Sequence, residues 1–176
     1  YACEDADITM QLTNLFKTKL KKSGLLSIFE SIEIPLITVL TEMEYDGVYV
    51  DSNFLSDMSQ DIGKKIEILL LDIYQIAGIE FNVNSTQQLA NVLFDIIGLP
   101  LIKKRSTSEE VLKRLGKEHK LPELILKYRK FNKLKNTYLD ALQNSVHPKS
   151  SRIHSTFHQV IASTGRLSST NPNFQN

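Results

Sequence analysis

The sequence predicts a mainly α-helical protein, elongated rather than spherical, with long antiparallel helices and a short β segment near the C-terminus. Three observations carry this expectation. Apolar residues recur at three- and four-residue intervals along most of the chain, as a single buried helix face requires. Stop signals close these runs at Gly24, Asp46-Gly47, Gly78 and Gly98. Only at 152–161 does the period change, where Ile153, Phe157 and Ile161 are interleaved with His154, Thr156 and His158.

The elements follow in order. Residues 5–22 place Ile8, Leu12, Leu15, Phe16 and Leu20 on one face, and Lys17, Lys19, Lys21 and Lys22 crowd the end that the helix dipole makes negative. A second helix spans roughly 32–44 through Ile32, Leu36, Val39, Leu40 and Met43. Pro35 belongs in its first turn, because a proline deeper inside costs about 3 kcal/mol. "GVYVD" is a short β-like connection, after which Asp51 or Ser52 caps a long helix reaching about Ala77. Leu55, Met58, Ile62, Ile66, Leu69, Ile73 and Ile76 form its stripe. At ~1.5 Å per residue this helix is roughly 38 Å long, the length of an arm carried by a larger body.

"NSTQQL" holds a capping box in which Ser85 and Gln88 satisfy each other's backbone donors, opening a helix that buries Leu89, Leu93, Ile96 and Ile97. "LIKKR" is an exposed basic loop. A second capping box, Thr107 to Glu110, starts a short helix with Val111, Leu112 and Leu115. Pro122 suits the first turn of another long helix, about 122–144, with Leu124, Ile125, Tyr128, Leu134, Tyr138 and Leu142 on its core face. Neither repeats nor low-complexity segments are present.

Hydrophobic content of 41% and charged content of 23% are those of a folded chain. The longest apolar runs, such as "ILLL" at 68–71, are far too short to span a bilayer. No charged-then-apolar leader opens the chain, and the single cysteine, Cys3, reads as a small buried residue in a reducing compartment. The expectation is a cytoplasmic protein with no membrane partner. The formal net charge of +1 hides a split. Residues 1–100 carry six Lys/Arg against fifteen Asp/Glu, and residues 101–176 carry fifteen against five. Either the C-terminal part faces a polyanion, or two solvated surfaces of opposite sign attract each other.

His154 and His158 do not share a metal ion if their segment is a strand, because four residues then separate them by about 13 Å. The chain has no Gly-rich phosphate loop and no nucleophile elbow. In "LKYRKFNKLKNTY", Arg129, Lys133 and Asn136 or Thr137 stack at four-residue spacing opposite the apolar face, flanked by Lys127, Lys130 and Lys135. Cations repeating every ~6 Å along a helix track the phosphates of a DNA strand, or else form a solvated lysine-rich face. At the N-terminus, Glu4, Asp5 and Asp7 either satisfy the helix dipole or supply one metal-ligating carboxylate, with Tyr1 one turn before Asp5.

Together these stretches resemble a known family. "TGRLSSTNPNFQN" is similar to the TGRLSS-x-x-PN-(L/F)-QN signature of family A DNA polymerases, the bacterial DNA polymerase I type. "FNVNSTQQL", "STSEEVL", "YRKFNKLKNTY" and "RIHSTFHQ" resemble thumb-subdomain segments of that family in the same order, and "YACEDADIT" looks like the Tyr-x-x-x-Asp motif that ends its 3′–5′ exonuclease domain. Phe174 stands where leucine is usual and Asn84 where serine is common, and the loop at Lys103–Ser106 is several residues short.

The resemblance implies a terminal exonuclease helix over 1–24, a polymerase thumb over 25–150 and the start of the palm over 151–176. It implies minor-groove contact from Arg166 near the primer end, and contacts to the duplex or nearby template from Asn173, Gln175 and Asn176. Arg129, Lys133, Asn82 and Ser85 look like backbone contacts. Tyr1 and Asp5 are a remnant of the exonuclease motif, with Asp5 a metal ligand only if the parent site is intact. The implied partners are double-stranded primer-template DNA and the remaining palm, fingers and exonuclease domains. Mg2+ belongs to the parent polymerase, in a cytoplasmic, nucleoid-associated setting. As a DNA-directed DNA polymerase fragment without the catalytic carboxylates, the chain alone is expected to be inactive. The other reading is a non-catalytic helical protein-interaction module whose basic helix meets an acidic protein.

Overall fold

A computed structural model describes residues 2–175, so Tyr1 and Asn176, both expected to carry function, lie outside the described residues. Among those residues the chain forms six helices and two small antiparallel sheets. It divides into two compact units, one built from the chain up to Val50 together with everything from His147 onward, the other from Asp51–Val146. These limits cut elsewhere than the 1–24, 25–150 and 151–176 boundaries, because residues before Val50 pair with strands that follow His147.

In the unit Asp51–Val146, helix α3 (Ser52–Ala77) begins where Asp51 accepts a hydrogen bond from the Phe54 N–H at 3.0 Å. It ends where Gly78, at φ +72°, returns its N–H to the Tyr74 carbonyl, as a left-handed cap requires. Its stripe from Leu55 to Ile76 is buried or half-buried, as the spacing predicts. Helix α4 joins Thr86–Ala90 to a π-helical turn, Asn91–Ile96. Helix α5 is Glu109–Leu115, and α6 runs through Lys120–Lys133, a π-helical Leu134–Leu139 and Asp140–Asn144.

Helices α3 and α6 pack antiparallel. Ser59, early in α3, bonds to Asp140, late in α6, whereas Ile73 and Ala77 share a core with Leu124, Ile125 and Tyr128. Helices α4 and α5 complete that core with Leu89, Leu93 and Leu112, all fully buried.

Four local expectations change. Ile96 is half exposed, since the wide π turn of α4 rotates it outward and leaves Ile97 nearer the core. Ser85 caps α4 by accepting from the Gln88 N–H at 3.4 Å. The Gln88 side chain does not return the bond, because the Ser85 N–H already donates to the Asn82 carbonyl; Gln88 Oε1 takes the Asn82 N–H instead, at 2.8 Å. Helix α5 starts from Ser108 without a side-chain cap, since Thr107 is buried under Arg129. Finally, α6 starts two residues early, where His119 accepts from the Leu121 N–H.

In the other unit, α1 (Ala2–Lys22) leads to α2, formed by Leu26–Ile28, a π-helical Phe29–Glu33 and Ile34–Asp46. Here the expected core faces fail. Ile8, Leu12, Leu15 and Phe16 of α1 and Ile32, Val39 and Met43 of α2 are all exposed, leaving Leu40 as the buried residue of α2. An amphipathic stripe needs a cover, and the described residues cover these two only in part, leaving Leu20 and Leu36 half-buried and Leu40 buried. Cys3 is exposed for the same reason.

The expected single strand over 152–161 breaks at His154-Ser155. β2 (Arg152–Ile153) pairs with β1 (Val48–Tyr49), and β3 (Thr156–His158) pairs with β4 (Ser168–Thr170). Gly47 permits the first pairing. Its φ is +63°, and a Cβ there would lie 2.8 Å from both the Ile153 carbonyl oxygen and His154 Nδ1.

Lys135, expected to flank the exposed basic face, turns inward. Its Nζ meets Asp140 Oδ2 at 2.8 Å and Ser59 Oγ at 2.9 Å, while Ser59 donates to Asp140 Oδ1 at 2.5 Å. The Lys135 ammonium and the Ser59 hydroxyl hold the Asp140 carboxyl below the usual aspartate range. Its folded value lies under its unfolded value, so its contribution is complete above about pH 4 and fades as pH falls further. Asp140→Asn is therefore expected to cost roughly 1–2 kcal/mol at neutral pH, the pair being about a third exposed and partly screened. Denaturant unfolding should show the difference between parent and variant shrinking below about pH 4.

Candidate nucleic-acid interface

Packing α3 against α6 leaves the opposite side of α6 to build two adjoining grooves. The first is an open cleft of about 660 Å³ lined by the start of α4 (Thr86, Gln87), by Asn91, by Arg105 and Thr107 of the α4–α5 loop, and by Arg129. The second, about 520 Å³, lies along α5 and α6 and is lined by Lys113, Lys127, Arg129, Lys130 and Lys133, with Leu126 and the single carboxylate of Glu109. Glu109 is already engaged, its Oε1 2.6 Å from Lys113 Nζ. Arg129 borders both grooves.

Arg129 is half-buried, and burial pushes its guanidinium pKa down from the usual arginine value. Nη1 donates to the Thr107 carbonyl at 2.6 Å and Nη2 to Thr107 Oγ1 at 3.4 Å. Two of its five N–H donors are thus committed to the loop and three remain. Lys133 is exposed, its Nζ 5.9 Å from the centre of the Tyr138 ring.

Asn82 and Ser85 join this surface through a relay of amides. Asn136 donates to Asn132 (2.8 Å), Asn132 to Asn84 (3.4 Å), and Asn84 to the Tyr128 hydroxyl (2.9 Å). The Asn84 N–H donates to Asn82 Oδ1 at 3.0 Å, and Asn82 is tied through Gln88 to the Ser85 cap. Of the predicted residues, Arg129 and Lys133 line the second groove, Ser85 caps the helix whose first residues line the first, and Asn82 is tied to that helix through Gln88. Sequence reasoning missed Arg105, Lys113 and Asn132. Asn132 had a signal in its four-residue spacing from Asn136, and Lys113 in its four-residue spacing from Glu109; the partner of Arg105 is set by packing.

The remaining predicted residues lie in the other unit. Arg166 is exposed on the β3–β4 connection and makes no hydrogen bond or ion pair among the described residues. The polar run after it is partly self-satisfied, against the expectation that its partners lie elsewhere. Ser155 Oγ donates to the Thr170 and Pro172 carbonyls, and buried Ser169 accepts the Phe174 N–H at 2.8 Å. Asn173 Oδ1 accepts from the Gln175 N–H at 2.8 Å, leaving both side-chain amides at the surface.

His154 is 2.9 Å from the Glu44 carbonyl oxygen and His158 is 2.9 Å from Thr170 Oγ1, each locked into local structure. Asp5 stands exposed in the first turn of α1. Among the described residues no three His, Cys, Asp or Glu side chains gather as a metal ion requires. No helix among them is long and apolar enough to cross a membrane.

The unit Asp51–Val146 thus combines a cation-lined groove, a capped helix start and a row of neutral amides. The chain belongs to DNA polymerase family A, whose profile matches residues 52–176. It is 42% identical over 183 aligned positions to DNA polymerase I of Pseudomonas aeruginosa, covering all of this chain and 20% of that protein. The thermostable DNA polymerase I of Thermus thermophilus is 43% identical over 182 positions, covering 99% of this chain and 22% of that one. Among solved structures, the polymerase domain of Pol1 from M. smegmatis in complex with DNA primer-template and dNTP superposes with a TM-score of 0.87 at 35% identity, covering 95% of this chain and 30% of that chain. The chain thus spans about a fifth of the length of these curated relatives.

Ser85→Ala removes the cap at the rim of the first groove and is expected to destabilise the unit by about 1 kcal/mol. Thermal unfolding checks this; an unchanged midpoint would show that the long 3.4 Å contact contributes nothing.

Proposed function

We propose that this chain is the duplex-gripping part of a DNA-directed DNA polymerase, with 1–24 the last helix of a 3′–5′ exonuclease domain, 25–150 the thumb and 151–176 the start of the palm. The observation that carries the reading is the basic groove of Lys113, Lys127, Arg129, Lys130 and Lys133, which shares Arg129 with the cleft at the Ser85-capped helix start. Exposed cations at helical spacing neutralise phosphates whatever the sequence, and free amide hydrogens at a helix start favour anions. Family membership and the likeness to a polymerase domain holding primer-template DNA support it.

In this reading Lys133, Asn82, Ser85 and the three uncommitted donors of Arg129 meet the backbone. Arg166, Asn173 and Gln175 meet the minor groove and the nearby template, where acceptors are nearly alike for every base pair. Polar groups there test the shape of a pair without naming it, as a copying enzyme requires. The described residues do not themselves fit Mg2+, so the carboxylates that hold it for nucleotide transfer belong to other parts of the full-length enzyme. The bare apolar faces of α1 and α2 pack, in the same reading, against its remaining domains. The chain alone grips and does not polymerise.

Fluorescence anisotropy with a labelled duplex tests this. Lys133→Ala is expected to weaken binding about equally on unrelated sequences and to reduce the slope of log affinity against log salt by about 1. Arg166→Ala should matter mainly on a recessed primer end and little on a blunt duplex of equal length. Affinity that stays flat from low to high salt would sink the phosphate-contact reading.

A further inference from the structure

The loop between α4 and α5 has almost nothing to hold it. Leu101 and Ile102 are exposed, Lys104 sits at φ +46°, and Ser106 bonds only within the loop. Burial resumes only at Thr107. Among the described residues, apart from the Ser108 N–H that Ser106 Oγ accepts, every side-chain hydrogen bond and ion pair from 100–106 to the rest of the unit comes from Arg105. Its Nη1 donates to Asp95 Oδ1 at 2.7 Å, and its Nη2 to Asp95 Oδ2 at 2.6 Å and Asn91 Oδ1 at 2.8 Å, a two-pronged clasp onto α4. Two residues later the loop presents the Thr107 carbonyl and hydroxyl that orient Arg129. Arg105 and Arg129 line the same cleft, yet one is exposed with its donors fixed to a carboxylate and the other is half-buried with donors left over.

We propose that the Arg105–Asp95 pair is a positioning clasp: it seats the short loop so that Thr107 aims the Arg129 guanidinium at the duplex backbone. The inference rests on the DNA-binding reading above. Neither Asp95 nor Arg105 need touch DNA.

This gives a test in which plain electrostatics and positioning have opposite signs. Asp95 is a negative charge beside a site for a polyanion, so by Coulomb attraction alone Asp95→Asn tightens DNA binding. Under the clasp it weakens binding, because Arg129 loses its aim. Anisotropy titrations with the same labelled duplex across a salt series, on the folded chain, compare the parent with Asp95→Asn, Arg105→Ala and the exchanged pair Asp95→Arg with Arg105→Asp. Asp95→Asn is expected to weaken binding about three- to tenfold with the salt slope unchanged. The exchanged pair should recover most of that loss.

Amide hydrogen exchange over the loop supplies a readout independent of DNA. Faster exchange at Thr107 and Ser108 in both single variants supports the clasp, and unchanged exchange overturns it. Equal or tighter binding by Asp95→Asn overturns the positioning role. So does a slope reduced by about 1 in Arg105→Ala with Asp95→Asn unaffected, which would make Arg105 itself a phosphate contact. If the parent does not bind duplex at all, the DNA reading fails and takes the positioning role with it, while loop exchange still decides whether the clasp exists.

Discussion

Burial of the α3 stripe against α6 is the constraint on which the rest of the unit Asp51–Val146 depends. Ile73, Leu124, Ile125 and Tyr128 leave water together, and dense packing makes the orientation of α6 about its own axis a discrete choice. Once that face is committed, Lys127, Lys130 and Lys133 must project away from it, and α5 lies beside them to form a groove. Lys135 shows the same rule from the other side. It falls in the π-helical turn of α6, faces α3 and is engaged by Ser59 and Asp140 instead of solvent.

The polar surface is organised around residues that serve two purposes. Arg129 stands between packing and solvent: burial disfavours its charge, two of its donors are held by Thr107, and the others are left over. Asn84 joins the rim by donating to Tyr128, a residue of the core, while its backbone holds Asn82. The amide relay is therefore as well positioned as the core beneath it.

Much of this was legible in the sequence because it is local. The span of α3, its Asp51 cap and Gly78 stop, and its seven-residue stripe all follow from interactions reaching no more than four residues along the chain. The family signatures were legible too, since TGRLSS and PNFQN are fixed patterns. Where reading failed, the missing information was the neighbour. The stripes of α1 and α2 are genuine, but periodicity says that a face wants cover, never that cover is present. The capping boxes at Ser85 and Thr107 have the right letters, yet a turn donor took one partner and Arg129 the other.

The sequence by itself determined the helical class, most helix limits, the basic character of the C-terminal half and the family. Only the tertiary structure decided which cations face outward: Lys133 does, Arg129 does in part, Lys135 does not, and Arg105 is bound to Asp95 across ten residues. Helix formation and capping are governed by bonds between chain neighbours, which a sequence displays directly. The availability of a charge depends on what packs against it from distant positions, and that is set only when the core closes.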